Sequence, residues 1–266
     1  MTTAGTQGIL NPRAGQGAFT LDRRAPSSDL AGFVDRYWIV RWQLRGRAPF
    51  AQETLPHPNV NLVIGTHRPG VHGIGTQRFV AELEGEGFVV GVKFQPAGFF
   101  PFFKRDVFEL SERELPIAEV FGLAGAALEA DVMAAPTDDA RIARMEAFLR
   151  SREPASDDLV VLAGRAVEAV RADPSVSRAT ELAARVGVSR RTLERVFRRY
   201  VGVGPKWVIR RFRVHEACER IAAGAPPCWS ALATELGYFD QAHFIRDFKS
   251  QVGRTPSAYA ATCVKA

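Results

Sequence analysis

Two stretches near the end of the sequence concentrate side chains that could bind a polyanion. From Arg190 to Arg213, nine residues are Lys or Arg and one, Glu194, is acidic. Further on, Gln241, Arg246 and Lys249 lie within a nine-residue segment. Guanidinium groups donate paired hydrogen bonds to phosphates and guanine edges, and amides pair with adenine. The residue types therefore indicate recognition of nucleic acid.

The second stretch has the pattern of two helices joined by a short turn. Leu232, Ala233 and Leu236 lie at helical spacing, and Gly237 is expected to end that helix in a left-handed conformation. Asp240 is predicted to cap a second helix. Its apolar face would be formed by Phe244, Ile245, Phe248 and Val252, and its outer face by Ala242, His243, Arg246 and Lys249. This is the helix-turn-helix pattern, although a helix pair in a bundle shows the same periodicity.

The first stretch repeats that pattern. Ser177 is predicted to cap a helix that holds Leu182, Ala183 and Val186, and the turn Gly187-Val188-Ser189 follows. The next helix would bury Leu193, Val196, Phe197 and Tyr200 and expose Arg191, Arg195, Arg198 and Arg199. Gly204-Pro205 is expected to begin a long helix that reaches about Ala223 and joins the two motifs. That helix would bury Trp207, Val214, Ala217, Cys218 and Ile221, and Arg210, Arg211 and Arg213 would add basic charge.

The amino-acid sequence of the second motif is more specific than its periodicity. The run Leu236-Gly237-Tyr238-Phe239-Asp240-Gln241-Ala242-His243-Phe244, with Phe248-Lys249, Gly253, Thr255-Pro256 and Tyr259 after it, closely resembles the signature of AraC/XylS-type transcription regulators. Phe239 departs from it, since that family usually has a small or polar residue there. The resemblance implies an all-α DNA-binding domain with two helix-turn-helix motifs, which would read a bipartite site in double-stranded DNA. RNA polymerase and a second copy of the chain are left open as protein partners.

The candidate DNA contacts follow from the outward positions on the two predicted recognition helices and from the resemblance. They are Arg190, Arg191, Glu194, Arg195, Arg198 and Arg199 in the first motif, and Gln241, Ala242, His243, Arg246 and Lys249 in the second. Arg191 and Arg195 are expected to read bases.

The first half of the chain is rich in predicted strands. Residues 1–28 lack a clear period and are expected to be mostly irregular. Strands are predicted over residues 37–44, 60–64, 73–81 and 87–94, and helices over 99–104, 117–121, 123–133 and 139–149. This half resembles the sensor domain of two-domain AraC-type regulators, which implies a cupin-like β-barrel with helices outside. The predicted fold is therefore α+β with two domains.

Several side chains of this half could line an effector pocket. The candidates are Trp38, Trp42, His57, Asn61 and Phe94, although aromatic residues in strands more often belong to the core. His57, His67 and His72 lack the His-x-His spacing of cupin metal sites, so neither a metal ion nor another cofactor is expected.

Charge and composition divide the chain in the same way. Residues 1–156 contain 17 Lys and Arg against 18 Asp and Glu, and residues 157–266 contain 18 against 11, so the net charge of +6 comes from the C-terminal part. The predicted domains are 1–150 and 159–266, with a polar linker over 151–158. Cys218, Cys228 and Cys263 lack metal-site spacing and are expected to be reduced structural thiols. No signal peptide or membrane span is predicted, and a cytoplasmic location is expected.

The sequence favours a non-enzymatic transcription regulator controlled by a small-molecule effector. Two alternatives stay open. The N-terminal half could serve only dimerisation or partner contact, without an effector. More remotely, it could be a cupin-type enzyme that the helices tether to DNA, although no nucleophile with its base and no phosphate-binding loop is evident.

Overall fold

A computed structural model describes residues 8–10, 15, 17–224 and 228–264. In the N-terminal domain, six strands form an antiparallel sheet in the order β1-β2-β7-β4-β5-β8, and β3 pairs with β6 in a second sheet. The strands are β1 (Phe19–Arg24), β2 (Val34–Gln43), β3 (Phe50–Thr54), β4 (Asn61–Gly65), β5 (Gly70–His72), β6 (Phe79–Leu83), β7 (Glu86–Phe94) and β8 (Glu114–Leu115).

The larger sheet has two apolar faces, as the alternation along β2 shows. Tyr37 and Ile39 are buried in the main core, whereas Trp38 and Val40 line a cavity on the other side, toward β3 and β6. The core face is covered by helices that follow β7. They are α1 (Phe100–Phe103), a 3₁₀ turn (Val107–Leu110), α2 (Ile117–Phe121), α3 (Leu123–Ala134) and α4 (Asp138–Ser151). The two sheets and these outer helices form an open barrel-like domain.

The C-terminal domain is entirely helical within the described residues. It contains α5 (Asp158–Ala172), α6 (Ala179–Arg185), α7 (Arg190–Val196), a π-helical turn (Phe197–Val201), α8 (Pro205–Ala222), α9 (Trp229–Glu235), α10 (Gln241–Val252) and α11 (Pro256–Val264). Helices α6 and α7 form the first helix-turn-helix motif, and α9 and α10 form the second. Pro205 begins α8, where its missing N–H removes no helical hydrogen bond.

The two motifs belong to different hydrophobic cores. One core runs from the larger sheet through α1 to α5 and into the first motif, where it includes Leu193 and Tyr200. The other joins the C-terminal half of α8 to the second motif and to α11, and it also includes Leu10 and Leu55. The first motif therefore shares its core with the N-terminal domain, whereas the second packs largely around its own helices.

The predicted division into a β-rich half and a helical half is confirmed, but two local predictions are wrong. A strand is predicted over residues 73–81, yet 73–78 connect β5 to β6, and Gly73 lies against the Leu110 carbonyl. The N-terminal segment, predicted to be mostly irregular, contains β1; residues 1–7, 11–14 and 16 of that prediction lie outside the described residues. The N-cap of α6 is Arg178 and not Ser177. The carboxylate of Glu181, the third residue of the helix, accepts the backbone N–H groups of both Ser177 and Arg178.

The predicted linker corresponds to a short break between helices. Helix α4 ends at Ser151 and α5 begins at Asp158, so residues 152–157 connect them. Asp157 closes the connection, since its side chain accepts a hydrogen bond from the Val160 N–H at 2.7 Å.

Candidate nucleic-acid interface and effector cavity

The first recognition helix, α7, begins at a well-formed cap and turns a basic face to solvent. Gly187 has a φ of 75°, and the Ser189 hydroxyl accepts the Thr192 N–H at 3.1 Å. Arg191 and Arg195 are exposed. Of the other candidates on this helix, Arg190 and Glu194 are exposed and form an ion pair with each other at 2.8 Å. The four side chains lie on one outward surface, as the sequence predicted.

Arg198 and Arg199 differ from the other candidates because they lie against the N-terminal domain. The Arg198 guanidinium stacks over the Phe108 ring at 4.0 Å, and the Arg199 Nε is 3.8 Å from an Asp106 carboxylate oxygen. Arg199 also lies over the Phe100 ring. Both arginines are on the π-helical turn, which directs them toward the 3₁₀ turn of the N-terminal domain instead of the outer face of α7.

The second recognition helix, α10, has the predicted cap and outer face. The Asp240 carboxylate accepts the His243 N–H at 2.6 Å. Phe244, Phe248 and Val252 are buried, and Ile245 is half-buried. The candidate DNA contacts Gln241, Ala242, His243, Arg246 and Lys249 are all exposed. The predicted amphipathic pattern is therefore confirmed for this helix.

A buried polar cluster that the sequence did not reveal holds the second motif together. The Asp247 side chain is 2% exposed and accepts hydrogen bonds from Tyr238 Oη at 2.9 Å, Arg210 Nε at 3.0 Å and Gln251 Nε2 at 3.1 Å. The cluster links the turn, α10 and α8. Asp247 follows Arg246 on a basic helix, so only the three-dimensional packing distinguishes it from a surface carboxylate.

Helix α8 joins the motifs, but two of the arginines predicted to add basic charge to it are buried. Arg211 is fully buried and Arg213 is 8% exposed. Arg211 Nη2 donates to the Thr76 carbonyl of the β5–β6 connection, and its guanidinium lies 4.6 Å from the Trp207 ring centroid. These side chains lie on the α8 face that packs against the N-terminal domain and the second motif, which helical spacing alone does not specify.

Ion pairs connect the far end of the second motif to the smaller sheet. Glu53 of β3 accepts hydrogen bonds from Arg254, just after α10, and from Arg78, next to β6. The side chains of this triad are 20% to 38% exposed. The N-terminal domain thus contacts both helix-turn-helix motifs and the helix between them.

A cavity of about 420 Å³ lies between the two sheets of the barrel and is open to solvent. This volume is within the range of small-molecule sites. Four of the predicted effector residues, Trp38, Trp42, His57 and Asn61, line it. The fifth, Phe94, does not: it is fully buried on the opposite face of the sheet, where it packs against Phe99 and Phe102. Phe94 is the last residue of β7, and its alternation places it toward the helices.

A second cavity, of about 840 Å³, lies between the two domains. The two cavities share Arg36, His57, Asn59 and Lys93 in their walls. Burial lowers the pKa of Lys93 to about 8, although Asp35, 3.3 Å away, raises it. The shared wall carries more positive than negative charge.

Across this wall, His57 stacks on His215 of α8 with ring centroids 3.9 Å apart. His215 Nε2 lies 3.4 Å from the Pro56 carbonyl oxygen. Burial lowers the pKa of His215 to about 3, and burial together with nearby positive charge lowers the pKa of His57 well below its ordinary value. The pair is therefore neutral near pH 7 and forms a packed contact between the barrel and the helix that joins the motifs.

The cysteines and histidines form no metal site within the described residues, where no group of three metal-ligating side chains converges. Cys218 is buried, Cys263 is half-buried and Cys228 is exposed, so a structural interior position holds only for the first. Of the helices that the structure describes, none is long and apolar enough to cross a membrane.

Comparisons with known proteins match the two halves of the chain separately. Residues 22–116 match a domain of unknown function (DUF6597), and residues 182–262 match a helix-turn-helix domain. A search of curated proteins found none that matches the chain.

Solved structures of similar proteins come from three bacteria. ToxT from Vibrio cholerae O395 is 14% identical, with 94% of this chain and 99% of ToxT covered and a TM-score of 0.42. The C-terminal domain of AraT, a response regulator from Geobacillus stearothermophilus, is 24% identical, with 40% and 88% covered and a TM-score of 0.37. A transcriptional regulator with an AraC-type DNA-binding domain from Chromobacterium violaceum is 25% identical, with 38% and 89% covered and a TM-score of 0.35.

The matched helix-turn-helix region includes the segment from Leu236 to Tyr259, whose sequence resembles the AraC/XylS signature. It also includes both recognition helices with their exposed outer faces. On this sequence and domain evidence, residues 182–262 form a helix-turn-helix DNA-binding domain of the AraC/XylS type.

Proposed function

We propose that this protein is a non-enzymatic regulator that reads a bipartite site in double-stranded DNA and responds to a small molecule bound in the barrel cavity. The observation that carries the proposal is the pair of exposed recognition helices on either side of α8. A protein with this function acts where the DNA lies, and the cytoplasm is its proposed location.

The geometry of α8 supports the bipartite part of the proposal. Its 18 residues extend about 27 Å at 1.5 Å per residue. Recognition helices that enter successive major-groove segments on one DNA face lie about 34 Å apart. A helix of this length, in contact with α6 of the first motif and with α10 of the second, suits that separation. The positive charge of the C-terminal domain would make binding weaken as salt rises.

The candidate contacts divide into two groups. Arg191 and Arg195 would read bases in one half-site, with Arg190 and Glu194 beside them. In the other half-site Gln241, Ala242, His243, Arg246 and Lys249 would face the groove. Arg198 and Arg199 are engaged by the N-terminal domain, so their contribution to DNA would depend on how firmly that domain is docked.

The effector part of the proposal rests on the shared wall of the two cavities. Trp38, Trp42, Arg36 and Lys93 line the same cavity. Asp35 is the carboxylate that pairs with both cations, so the site would favour a ligand with a negatively charged group. If ligand binding moved His57, it would displace the stacked ring of His215 and so shift α8. An effector alters transcription only through different affinities for two domain arrangements, and this contact is where the arrangements would differ.

The DNA-binding function is tested by selecting sites from random DNA with the full-length protein and then changing their spacing. Insertion of five base pairs between the half-sites turns the second half-site to the opposite DNA face. We expect affinity to fall to that of a single half-site. Equal affinity before and after the insertion would contradict a bipartite site.

The effector is tested by thermal shift of the full chain against a metabolite library, because a ligand that binds only the folded state raises its stability. Ala81 lines the barrel cavity, so Ala81→Trp should fill it and abolish the shift. Ala130 is exposed on α3, and Ala130→Trp is the matched control. A shift that survives Ala81→Trp would place the ligand elsewhere. The absence of any shift would favour a domain that serves dimerisation, or contact with RNA polymerase, without an effector.

A further inference from the structure

Phe239, in the turn of the second motif, is the most exposed aromatic side chain among the described large hydrophobic residues, with 93% of its surface accessible. Its neighbour Tyr238 is 6% exposed and donates its hydroxyl hydrogen bond to Asp247. The two adjacent aromatic residues thus have opposite environments. Tyr238 contributes to the fold of the motif, whereas Phe239 has no comparable burial.

Comparison of the two turns shows that Phe239 is an additional residue. After Gly187, the Val188 N–H bonds to the Ala183 carbonyl at 3.0 Å, and Ser189 caps α7 directly. After Gly237, the Tyr238 N–H bonds in the same way to the Ala233 carbonyl at 2.9 Å, but Phe239 precedes the cap, Asp240. Tyr238 therefore corresponds to Val188, and Phe239 has no counterpart in the first turn.

A structural role in the helix cap does not explain this residue. An apolar residue immediately before an N-cap often packs against the fourth residue of the helix, as a hydrophobic staple. In α10 that fourth residue is Phe244, which is fully buried and packs against Tyr238 at 5.3 Å between ring centroids. Phe239 remains in solvent beside it.

The position of Phe239 limits what it can contact in a complex with DNA. It immediately precedes the N-terminal residues of the recognition helix, which in this kind of motif reach the base edges of the major groove. Its ring has neither charge nor a hydrogen-bond donor, so it suits no phosphate oxygen. The apolar feature of the major groove is the C5-methyl group of thymine, which aromatic and aliphatic side chains contact. Its exposed neighbours Gln241 and His243 are polar, which favours a groove over a protein surface with an apolar centre.

We propose that Phe239 reads the methyl group of a thymine in the half-site bound by α10, and that it is a specificity-determining residue of the second motif. The proposal rests on the DNA-binding function proposed above. It predicts a preference for thymine at one position near the N-terminus of α10, with no equivalent at the first half-site, whose turn lacks this residue.

The test replaces each thymine of the selected site by deoxyuridine, one at a time, which removes only the methyl group. With the full-length protein, one such replacement in the second half-site should weaken binding about four-fold, the factor expected for one buried methyl group. Phe239→Ser should bind the thymine and deoxyuridine sites equally, whereas Phe239→Leu should keep part of the difference. Since Phe239 is exposed, thermal unfolding of both variants should match that of the wild type.

Three results would overturn the proposal. Wild-type protein could bind every deoxyuridine site as it binds thymine, or Phe239→Ser could show the same loss as wild type at the sensitive position. Alternatively, Phe239→Ser could bind DNA normally and fail only to activate reconstituted transcription, which would assign the side chain to a protein partner. Failure of the DNA-binding function itself would be different, since the wild type would then show no salt-sensitive binding to any selected site.

Discussion

The two helix-turn-helix motifs are built on one plan but meet the N-terminal domain in different ways. Aligned on their caps, Ser189 and Asp240, both recognition helices are followed by a glycine with positive φ, Gly202 at 96° and Gly253 at 82°. Each glycine abuts the N-terminal domain. Gly202 lies against the buried side chains of Ile74 and Val107, whereas Gly253 lies against Arg78.

This difference indicates how the N-terminal domain can act on DNA binding. The contact of the first motif is mainly apolar and belongs to a core that both domains share, with Arg199 near Asp106 at its edge. The contact of the second motif combines the Glu53 ion pairs, whose side chains are partly in water, with the buried side chains of Leu10 and Leu55. We therefore expect the first motif to stay with the N-terminal domain and the second to separate from it at a smaller cost in free energy.

The largest effect is expected from a matched pair of glycine substitutions. Both Gly202→Ala and Gly253→Ala put a side chain on a left-handed backbone, which costs about 1 kcal/mol. At Gly202 the new Cβ would also lie 2.8 Å from the buried Ile74 Cδ1 and 3.0 Å from Val107, which adds about 2 kcal/mol of overpacking. At Gly253 it would meet the Arg78 Nε, also at 2.8 Å, on a side chain that can move. Chemical denaturation of both variants checks the difference, and equal losses would contradict the proposed contrast.

The next effect tests whether the second motif depends on its own buried cluster. Asp247→Ala would leave the Tyr238 hydroxyl and the Gln251 amide without their acceptor, at a cost of about 3 kcal/mol in the free energy of unfolding. Val196 occupies the corresponding position of α7, so the first motif contains no equivalent. Footprinting should show loss of the second half-site and retention of the first. Asp247→Asn, which keeps the volume, should lose less, and simultaneous loss of both half-sites would argue against separate cores.

Arg195 tests the reading surface of the first motif. Arg195→Ala should weaken binding to the selected site by about 1 to 3 kcal/mol and relax the preference at one base position, because a bidentate contact to guanine is lost. The control is Arg45→Ala, which removes the same charge from an exposed position of the N-terminal domain. An unchanged footprint and affinity in the double variant Arg191→Ala with Arg195→Ala would refute base reading by α7.

Acid is expected to weaken the contact between the barrel and α8. Below pH 6.5 the unfolded chain binds a proton at His215, whereas the folded chain does not until near pH 3, so stability falls as pH falls through this window. Between pH 6.5 and pH 5 the loss is about 2 kcal/mol. His215→Gln should reduce this pH dependence, and the part that remains should come from His57, whose pKa is also lowered by burial. An unaltered pH profile in His215→Gln would exclude this histidine as its source.

The parts of the fold that the sequence predicted are those with local causes. Gly237 ends α9 through its left-handed backbone conformation. Asp240 begins α10 by accepting a hydrogen bond from a residue three positions later. Both features depend on neighbouring residues, so the sequence pattern predicts them. The outer face of α10 follows from the same local spacing. Exposure at Arg246 could therefore be predicted from neighbouring residues alone.

The parts that could not be predicted depend on packing between distant segments. Arg211 is basic and lies on a helix of basic residues, but it is buried because the β5–β6 connection covers it. Phe94 ends a strand whose two faces are both apolar, so the sequence could not assign it to the core or the cavity. Arg198 and Arg199 follow the outward arginines of α7 in the sequence. They differ from these because they contact Phe108 and Asp106 of the N-terminal domain, which the local pattern does not show.

Arg246 gives the smallest effect and the most direct comparison, because it occupies the sixth position of α10, as Arg195 does in α7. Its neighbours on the outer face, Gln241 and His243, carry less fixed charge than Arg190 and Arg191 in the first motif. We therefore expect α10 to fit its half-site less closely than α7 does, and Arg246→Ala to lose less binding affinity than Arg195→Ala.

If Arg246 contacts a phosphate, Arg246→Ala should lower the slope of log affinity against log salt by about one unit, because one fewer counterion is released. Gln241→Ala should leave the slope unchanged and alter discrimination among bases, since an amide reads adenine without neutralising charge. Salt titrations of both variants and of Arg45→Ala on one bipartite site make the comparison. Wild-type affinity and slope in the two α10 variants would mean that this helix does not face DNA.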